Sequence, residues 1–234
     1  MFSLSTVVPW GRSFDEYQRM FALDAGDLQL RILGCGDGPA SFNAEATRKG
    51  IRVTSCDPIY QFDAAQLRQR IDETAEGVLD QTRRNAAEFV WTSIRSVEDL
   101  RDTRMAAMHT FLADFPAGTA DGRYVEAALP TLPFADDAFD LALSSHFLFL
   151  YTVQLGDDFH RLAIREMCRV AREVRIFPLL ALGGAPSPFV DLAMRELTSD
   201  GFIVSIEPVA YEFQRGADQM LRIRRGHTSH QPHA

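Results

Sequence analysis

Three glycines at alternate positions, Gly34, Gly36 and Gly38, enclose Cys35 and Asp37 and stand directly before Pro39. The apolar run before them, residues 28–33, reads as a buried strand, and residues 39–49 read as a helix that Gly50 terminates. Glycine lets the main chain turn tightly and lets a ligand approach it closely. Proline suits a first helical position, where its missing N–H is no loss. The free N–H groups of the new helix point into the loop, so a strand, glycine loop and helix in this order can cradle a nucleotide or nucleoside. A second β-rich run, residues 51–57, ends in Asp57. That acid falls about 20 residues after the glycines, where folds of this kind hold ribose hydroxyls.

Further along, Leu132-Pro-Phe-Ala-Asp-Asp-Ala-Phe-Asp140 leads into the apolar residues 141–143 and then Ser144-Ser-His-Phe-Leu148. With these motifs in this order, the chain resembles the class I S-adenosylmethionine-dependent methyltransferases, especially the broad branch that acts on small molecules. The shared wording is a Gly-Cys-Gly-x-Gly loop, an acid closing strand 2, and Leu-Pro-Phe-x-Asp-x-x-Phe-Asp before strand 4. The resemblance covers roughly residues 28–59 and 123–224. It implies an α/β fold, a doubly wound, seven-stranded, Rossmann-like methyltransferase sheet with a C-terminal antiparallel hairpin.

The resemblance also implies a cofactor, S-adenosyl-L-methionine, and roles for particular residues. Gly34, Cys35, Gly36, Asp37 and Gly38 would hold its methionine and ribose portion. Asp57 would accept from both ribose hydroxyls, Pro58 and Ile59 would shape the adenine edge, and Ala128 and Leu129 would line the adenine. Ser144 and His146 would border the region of methyl transfer, with His146 orienting or deprotonating an acceptor or serving as a pocket wall. Two positions depart from the pattern. Ile32 stands where an acid usually precedes the first glycine by two residues, and Ala128 stands where an acid usually meets the adenine amino group. Strand alternation would put Glu126 on the same face as Ala128.

A chain of 234 residues can bury a full core and is most simply one domain, residues 1–225, with a polar tail at 226–234 that reads as disordered. A net charge of −8 argues against a long nucleic-acid footprint, and Lys49 is the lone lysine among many arginines. No apolar run is long enough to span a bilayer and no signal peptide is evident, so a cytoplasmic protein is expected. Cys35, Cys56 and Cys168 lack metal-ligand spacing and are expected to be reduced thiols, with no metal bound.

Residues 13–21 read as a helix capped by Ser13, with Phe14, Tyr17 and Phe21 on one face. Between strands 2 and 3, residues 60–121 exceed what a minimal fold needs. Leu67, Ile71, Val78, Thr82, Ala86 and Phe89 form one helical stripe, and Met105, Met108, Leu112 and Phe115 form another, with residues 118–122 closing the insertion. A helical layer there is a place to build a substrate lid. Tyr60, Tyr151, Trp91 and Asn85 are candidate substrate contacts or, equally, core and surface residues.

These features support methyl transfer to a small-molecule acceptor by in-line displacement. A catalytically silent relative that binds a partner or senses the cofactor is the alternative, motivated by Ile32 and Ala128. A nicotinamide oxidoreductase fits Gly34, Gly36 and Asp57, but Pro39 replaces the third glycine of that fingerprint. A tRNA methyltransferase would need a basic face on the insertion.

Overall fold

Period-2 alternation sorts the strand residues onto two faces of a sheet. Ile32, Leu141 and Leu143 pack on one face with Tyr17, Met20, Phe21 and Phe42. Leu33, Cys35, Ala142, Val174 and Ile176 pack on the other with Ile164 and Met167. In the computed structural model, which describes residues 2, 4 and 7–226, the strands are β1 (Arg31–Cys35), β2 (Arg52–Cys56), β3 (Tyr124–Val125), β4 (Phe139–Ser145), β5 (Ala171–Phe177), β6 (Phe202–Pro208) and β7 (Gln219–Arg225). They form one seven-stranded sheet in the order β3-β2-β1-β4-β5-β7-β6. The first five run parallel, and β7 pairs antiparallel with both β5 and β6. This is the Rossmann-like methyltransferase sheet with its closing hairpin. The expected disordered tail lies, from residue 227 onward, outside the described residues.

The helices are α1 (Phe14–Met20), α2 (Phe42–Arg48), α3 (Ala64–Arg84), α4 (Val97–Ala120), α5 (Thr152–Val170) and α6 (Phe189–Ser199). Ser13 closes a capping box with Glu16 at the start of α1, and Asp63 does the same with Gln66 at the start of α3. Among the described residues, no helix is long and apolar enough to cross a membrane.

Several boundaries differ from the sequence expectation. Residues 27–29 form a 3-10 turn, so β1 starts three residues late and takes in Gly34 and Cys35. The helix after the loop opens at Phe42 rather than Pro39, because the N-terminal segment occupies the turn. Ser41 N–H donates to Arg12 O, and a Cβ on Gly11 would overlap the Pro39 carbonyl. In the insertion, α3 stops at Arg84, so Ala86 and Phe89 leave the helix, and Phe89 instead bridges to Gln214. The second helix runs on through Gly118, where a Cβ would strike the Tyr124 ring.

The insertion is fastened to the sheet at both of its helices. Leu67 and Ile71 of α3 pack with Met108, Phe111, Leu112 and Phe115 of α4, around Tyr60 and Tyr124. Arg104 of α4 is fully buried and gives Nη1 to both carboxylate oxygens of Glu16 on α1, each at 2.6 Å. Glu16 also accepts from Ser13 and from the Tyr211 hydroxyl. Burial would raise its pKa, but Arg104 and Arg12 outweigh that and hold it down at about 2.

Candidate active site

β1 and β4 lie side by side, while β2 and β5 extend the sheet in opposite directions from them, so a crevice opens beyond their C-terminal ends. A cavity of about 630 Å³ fills it, within the range of ligand pockets, about 300–1,000 Å³. Its floor comes from the segments that follow four strands: residues 36–39 after β1, 57–59 after β2, 127–129 after β3 and 145–147 from the end of β4. Residues 7–10 and Arg12, Tyr17 of α1 and the first turns of α3 complete the wall.

Gly36 and Gly38 both have positive φ, 68° and 54°, which glycine adopts without strain. A Cβ on Gly36 would come within 2.9 Å of the Phe147 ring. A Cβ on Gly38 would have only Asp57 Oδ2 nearby, at 3.9 Å, so this glycine's main chain is open to a ligand. The loop is tied down at both of its polar atoms. Gly38 N–H donates to Asp57 Oδ2 at 2.8 Å, and the Tyr60 hydroxyl donates to Gly38 O at 2.8 Å. Asp57 Oδ1 accepts from Ile59 N–H at 2.9 Å. Burial lifts the Asp57 pKa to about 6 against the pull of these two N–H donors.

Asp37 is a second buried acid on the wall. Its carboxylate accepts from the Ser55 hydroxyl at 2.6 Å and the Tyr17 hydroxyl at 2.8 Å. Burial lifts it to about 6, the two hydroxyls oppose the rise, and the Asp57 charge adds to it. The Asp37 side chain folds back over β1 into the space that a Cβ on residue 34 would fill. Gly34 therefore makes room for Asp37 and is not on the cavity wall.

His146 sits just past β4 with φ 53°. Its N–H donates to Phe177 O at 2.7 Å, and its Nδ1 lies 2.9 Å from Ser145 Oγ. Burial, helped by the charges of Arg12 and Arg104, holds its pKa well below the ordinary histidine range, so it is neutral at physiological pH.

The structure thus places Gly36, Asp37, Gly38, Asp57, Pro58, Ala128, Leu129 and His146 on one cavity wall. Three expected residues are elsewhere. Gly34 lies within β1, Cys35 points into the core on the α5 face, and Ser144 is fully buried on that same face with its hydroxyl unpartnered. Each follows from where β1 and β4 end, two residues beyond the expected point. Ser145 lines the cavity in place of Ser144. Glu126 is exposed and off the wall, since β3 ends at Val125 and strand alternation does not extend to it.

Tyr60 supports the loop from beneath, and Tyr151 receives Val8 N–H at its hydroxyl. Trp91 donates to Ala86 O and Asn85 ends α3, both off the cavity wall. Sequence reasoning missed Tyr17 and Arg12. Tyr17 had a signal, its place on the buried face of α1, whereas a lone arginine in a pre-helix loop has none.

No protein-family model matches the chain. Over 227 residues it is 34% identical to the uncharacterized protein MJ0045 of Methanocaldococcus jannaschii, an alignment covering 95% of this chain and 98% of that one. The chain belongs to the family of this archaeal protein. Similar solved structures include PH1948 of Pyrococcus horikoshii, described as a candidate RNA methyltransferase, at 10% identity and TM-score 0.47, covering 91% of this chain and 85% of that one. The mitomycin 7-O-methyltransferase MmcR aligns at 16% identity and TM-score 0.47, over 91% of this chain and 54% of its own. Magnesium protoporphyrin IX methyltransferase of Synechocystis PCC 6803 with bound S-adenosylmethionine aligns at 11% identity and TM-score 0.43, over 91% of each chain. With every score below 0.5, the fold assignment rests on the strand order and pairing of the sheet.

Proposed function

We propose that the chain is an S-adenosylmethionine-dependent methyltransferase acting on a small molecule. The observation that carries this reading is the open main chain of Gly38, fixed by Asp57 beside a cavity at the C-terminal ends of β1, β2 and β4. The donor set suits the cofactor. Asp57 uses one lone pair of each oxygen on Gly38 and Ile59, leaving the others for ribose hydroxyls. Pro58, Ile59, Ala128 and Leu129 offer an apolar wall to a flat base. Asp37 brings a carboxylate to the loop in a chain where Ile32 occupies the usual acidic position.

The sulfonium, when bound, supplies an already electrophilic methyl group. What the chain must add is alignment of the acceptor and exclusion of water. His146, neutral and at the cavity wall, can orient an acceptor or take its proton. Its lowered pKa makes it a weak base, which favours acceptors whose nucleophile is already deprotonated or readily becomes so. A net charge of −8 supports a small acceptor over a nucleic acid.

Calorimetric titration with S-adenosylhomocysteine and S-adenosylmethionine, with NADH as control, tests the reading. Micromolar binding of the first two is expected, and Asp57→Ala should weaken it by about 1.5–3 kcal/mol, the range for hydrogen bonds to a charged group. Absence of binding, or a preference for NADH, would refute it.

A further inference from the structure

A second, smaller chamber of about 90 Å³ adjoins the cofactor cleft. Val8, Trp10, Arg12 and His146 line both spaces, so these four form the neck between them. Beyond the neck the walls are apolar and aromatic. Phe89 and Phe213 stack at 5.0 Å where the insertion meets the loop before β7, and Val90 N–H donates to Phe213 O at 2.8 Å. Val78 of α3 and Leu100 of α4 form one side of the enclosure and Leu150 and Leu182 another, so the insertion closes a space that the sheet's loops begin.

Most polar side chains on the chamber wall already have partners. Thr82 donates to Val78 O, Gln214 to Ala181 O, Tyr151 receives Val8 N–H, and Glu88 receives Phe2 N–H. That leaves Arg12 and the Nε2 edge of His146, whose Nδ1 already faces Ser145 Oγ, to meet an occupant. Among the described residues Arg12 has no carboxylate of its own, and the groups that favour its charge are the Tyr211 hydroxyl and the shared Glu16. One Nη donates to Trp10 O and its buried Nε finds no acceptor among the described residues. The nearby carboxylate, Glu16, is already paired with Arg104 and further engaged by Ser13 and Tyr211. Two guanidinium groups therefore share one carboxylate, and a buried cation left uncompensated is costly. An anion at the neck would offset that cost.

We propose that this chamber seats the methyl acceptor, and that the acceptor is a ring-sized apolar molecule carrying an anionic group bound at Arg12. The assignment rests on the transferase reading above for the word acceptor, while the anion site itself does not depend on it. Aromatic walls suit a flat ring, and the neck position places one end of that ring at His146, facing the cofactor cleft.

Benzoate and its neutral isostere benzamide separate charge from shape. The chain's two tryptophans, Trp10 on the chamber wall and Trp91 edge-on to Phe213 at 5.5 Å, make intrinsic fluorescence a local readout. With S-adenosylhomocysteine present, benzoate should bind at least about tenfold more tightly than benzamide, as a charge-assisted hydrogen bond requires. Arg12→Gln should bring the two within about twofold of each other. Val78→Phe, which fills the chamber away from the cofactor cleft, should abolish both while S-adenosylhomocysteine still binds.

Equal binding of the two probes, or no benzoate binding, would overturn the proposal. So would an Arg12→Gln variant that loses S-adenosylhomocysteine and keeps its benzoate preference, since the arginine would then serve the cofactor. If Arg12→Gln loses its far-ultraviolet dichroism, the wild-type benzoate preference and its loss in Val78→Phe decide. Benzoate selectivity in a protein that binds no S-adenosylhomocysteine would leave the anion site standing and remove the transferase reading.

Discussion

The affinity of the protein for S-adenosylhomocysteine should rise with pH through the titration of Asp57. The carboxylate is buried, 8% exposed, and burial lifts its pKa to about 6. A ribose hydroxyl donates best to the charged carboxylate, so a proton on Asp57 competes with the ligand. The deprotonated fraction climbs from about 0.1 at pH 5 to about 0.9 at pH 7, and apparent affinity scales with that competent fraction, giving up to about a tenfold gain. The interval also stays below the α-amino range of about 7.7–8.0.

Asp37, also raised to about 6, shares the window, so the two acids titrate as a pair. Variants separate them. Asp57→Asn should weaken binding at pH 7 and flatten the profile, whereas Asp37→Asn should keep most of the slope. Calorimetry in matched buffers at about pH 5, 6 and 7 is the assay. A wild-type affinity constant within about twofold, or a slope that survives in Asp57→Asn, would refute the placing of this carboxylate on the ribose.

Three further outcomes follow from buried contacts of the fold. Arg104→Met removes the guanidinium paired with the buried Glu16 carboxylate, leaving only the neighbouring Arg12 to offset its charge, and should cost up to about 3–5 kcal/mol in urea unfolding. Adding Glu16→Leu to that variant should recover much of the loss, and a double variant as unstable as the single one would contradict it. Gly34→Ala pushes a methyl into the Asp37 carboxylate and should destabilise by about 1–3 kcal/mol, with a smaller effect in an Asp37→Ser background, both read by thermal unfolding. Tyr60→Phe removes the hydroxyl from Gly38 O while leaving the ring among Phe111, Phe115 and Tyr124. It should reduce S-adenosylhomocysteine affinity by about 0.5–1.5 kcal/mol with little change in unfolding midpoint.

The sheet was legible through the family resemblance, whose motifs mark the loops after strands 1 and 2 and the entry to strand 4 and whose fold carries a closing hairpin. The insertion was legible too, since Leu67, Ile71, Val78 and Thr82 keep helical spacing on one face of α3 and are all buried. What failed was side-chain direction. Extending β4 through Ser145 turned Ser144 away from the cavity, because each residue along a strand reverses the face. The glycine pattern itself concealed one role. Gly34 looks from sequence like part of a ligand cradle, yet it is needed for the return of Asp37, a contact that only the folded loop creates.

Arg12 and Arg104 were illegible for a different reason. An arginine in a loop, or in a helix as mixed as α4, reads as a solvated surface residue. Only the meeting of α4 with α1 buries Arg104 completely, and only Glu16 makes that burial tolerable. This pair also bears on whether the insertion can act as a swinging lid, the role a helical layer beside a cleft first suggests. Lifting α4 would break the Arg104–Glu16 pair and open the cluster of Met108, Phe111, Leu112 and Phe115 around Tyr60 and Tyr124. Tyr60 in turn holds the Gly38 carbonyl, so such a motion would loosen the cofactor loop it was meant to cover. The α4 helix is therefore a fixed wall. The cavity-lining residues with exposed side chains are Val7 of the N-terminal segment, Pro58 and Phe62 after β2, Gln66, Gln69, Arg70 and Glu73 on α3, and Ala128 after β3. Movements that admit a ligand at the least cost in buried contacts belong to the N-terminal segment around Val7 and not to the insertion, whose α3 is held against α4 by Leu67 and Ile71.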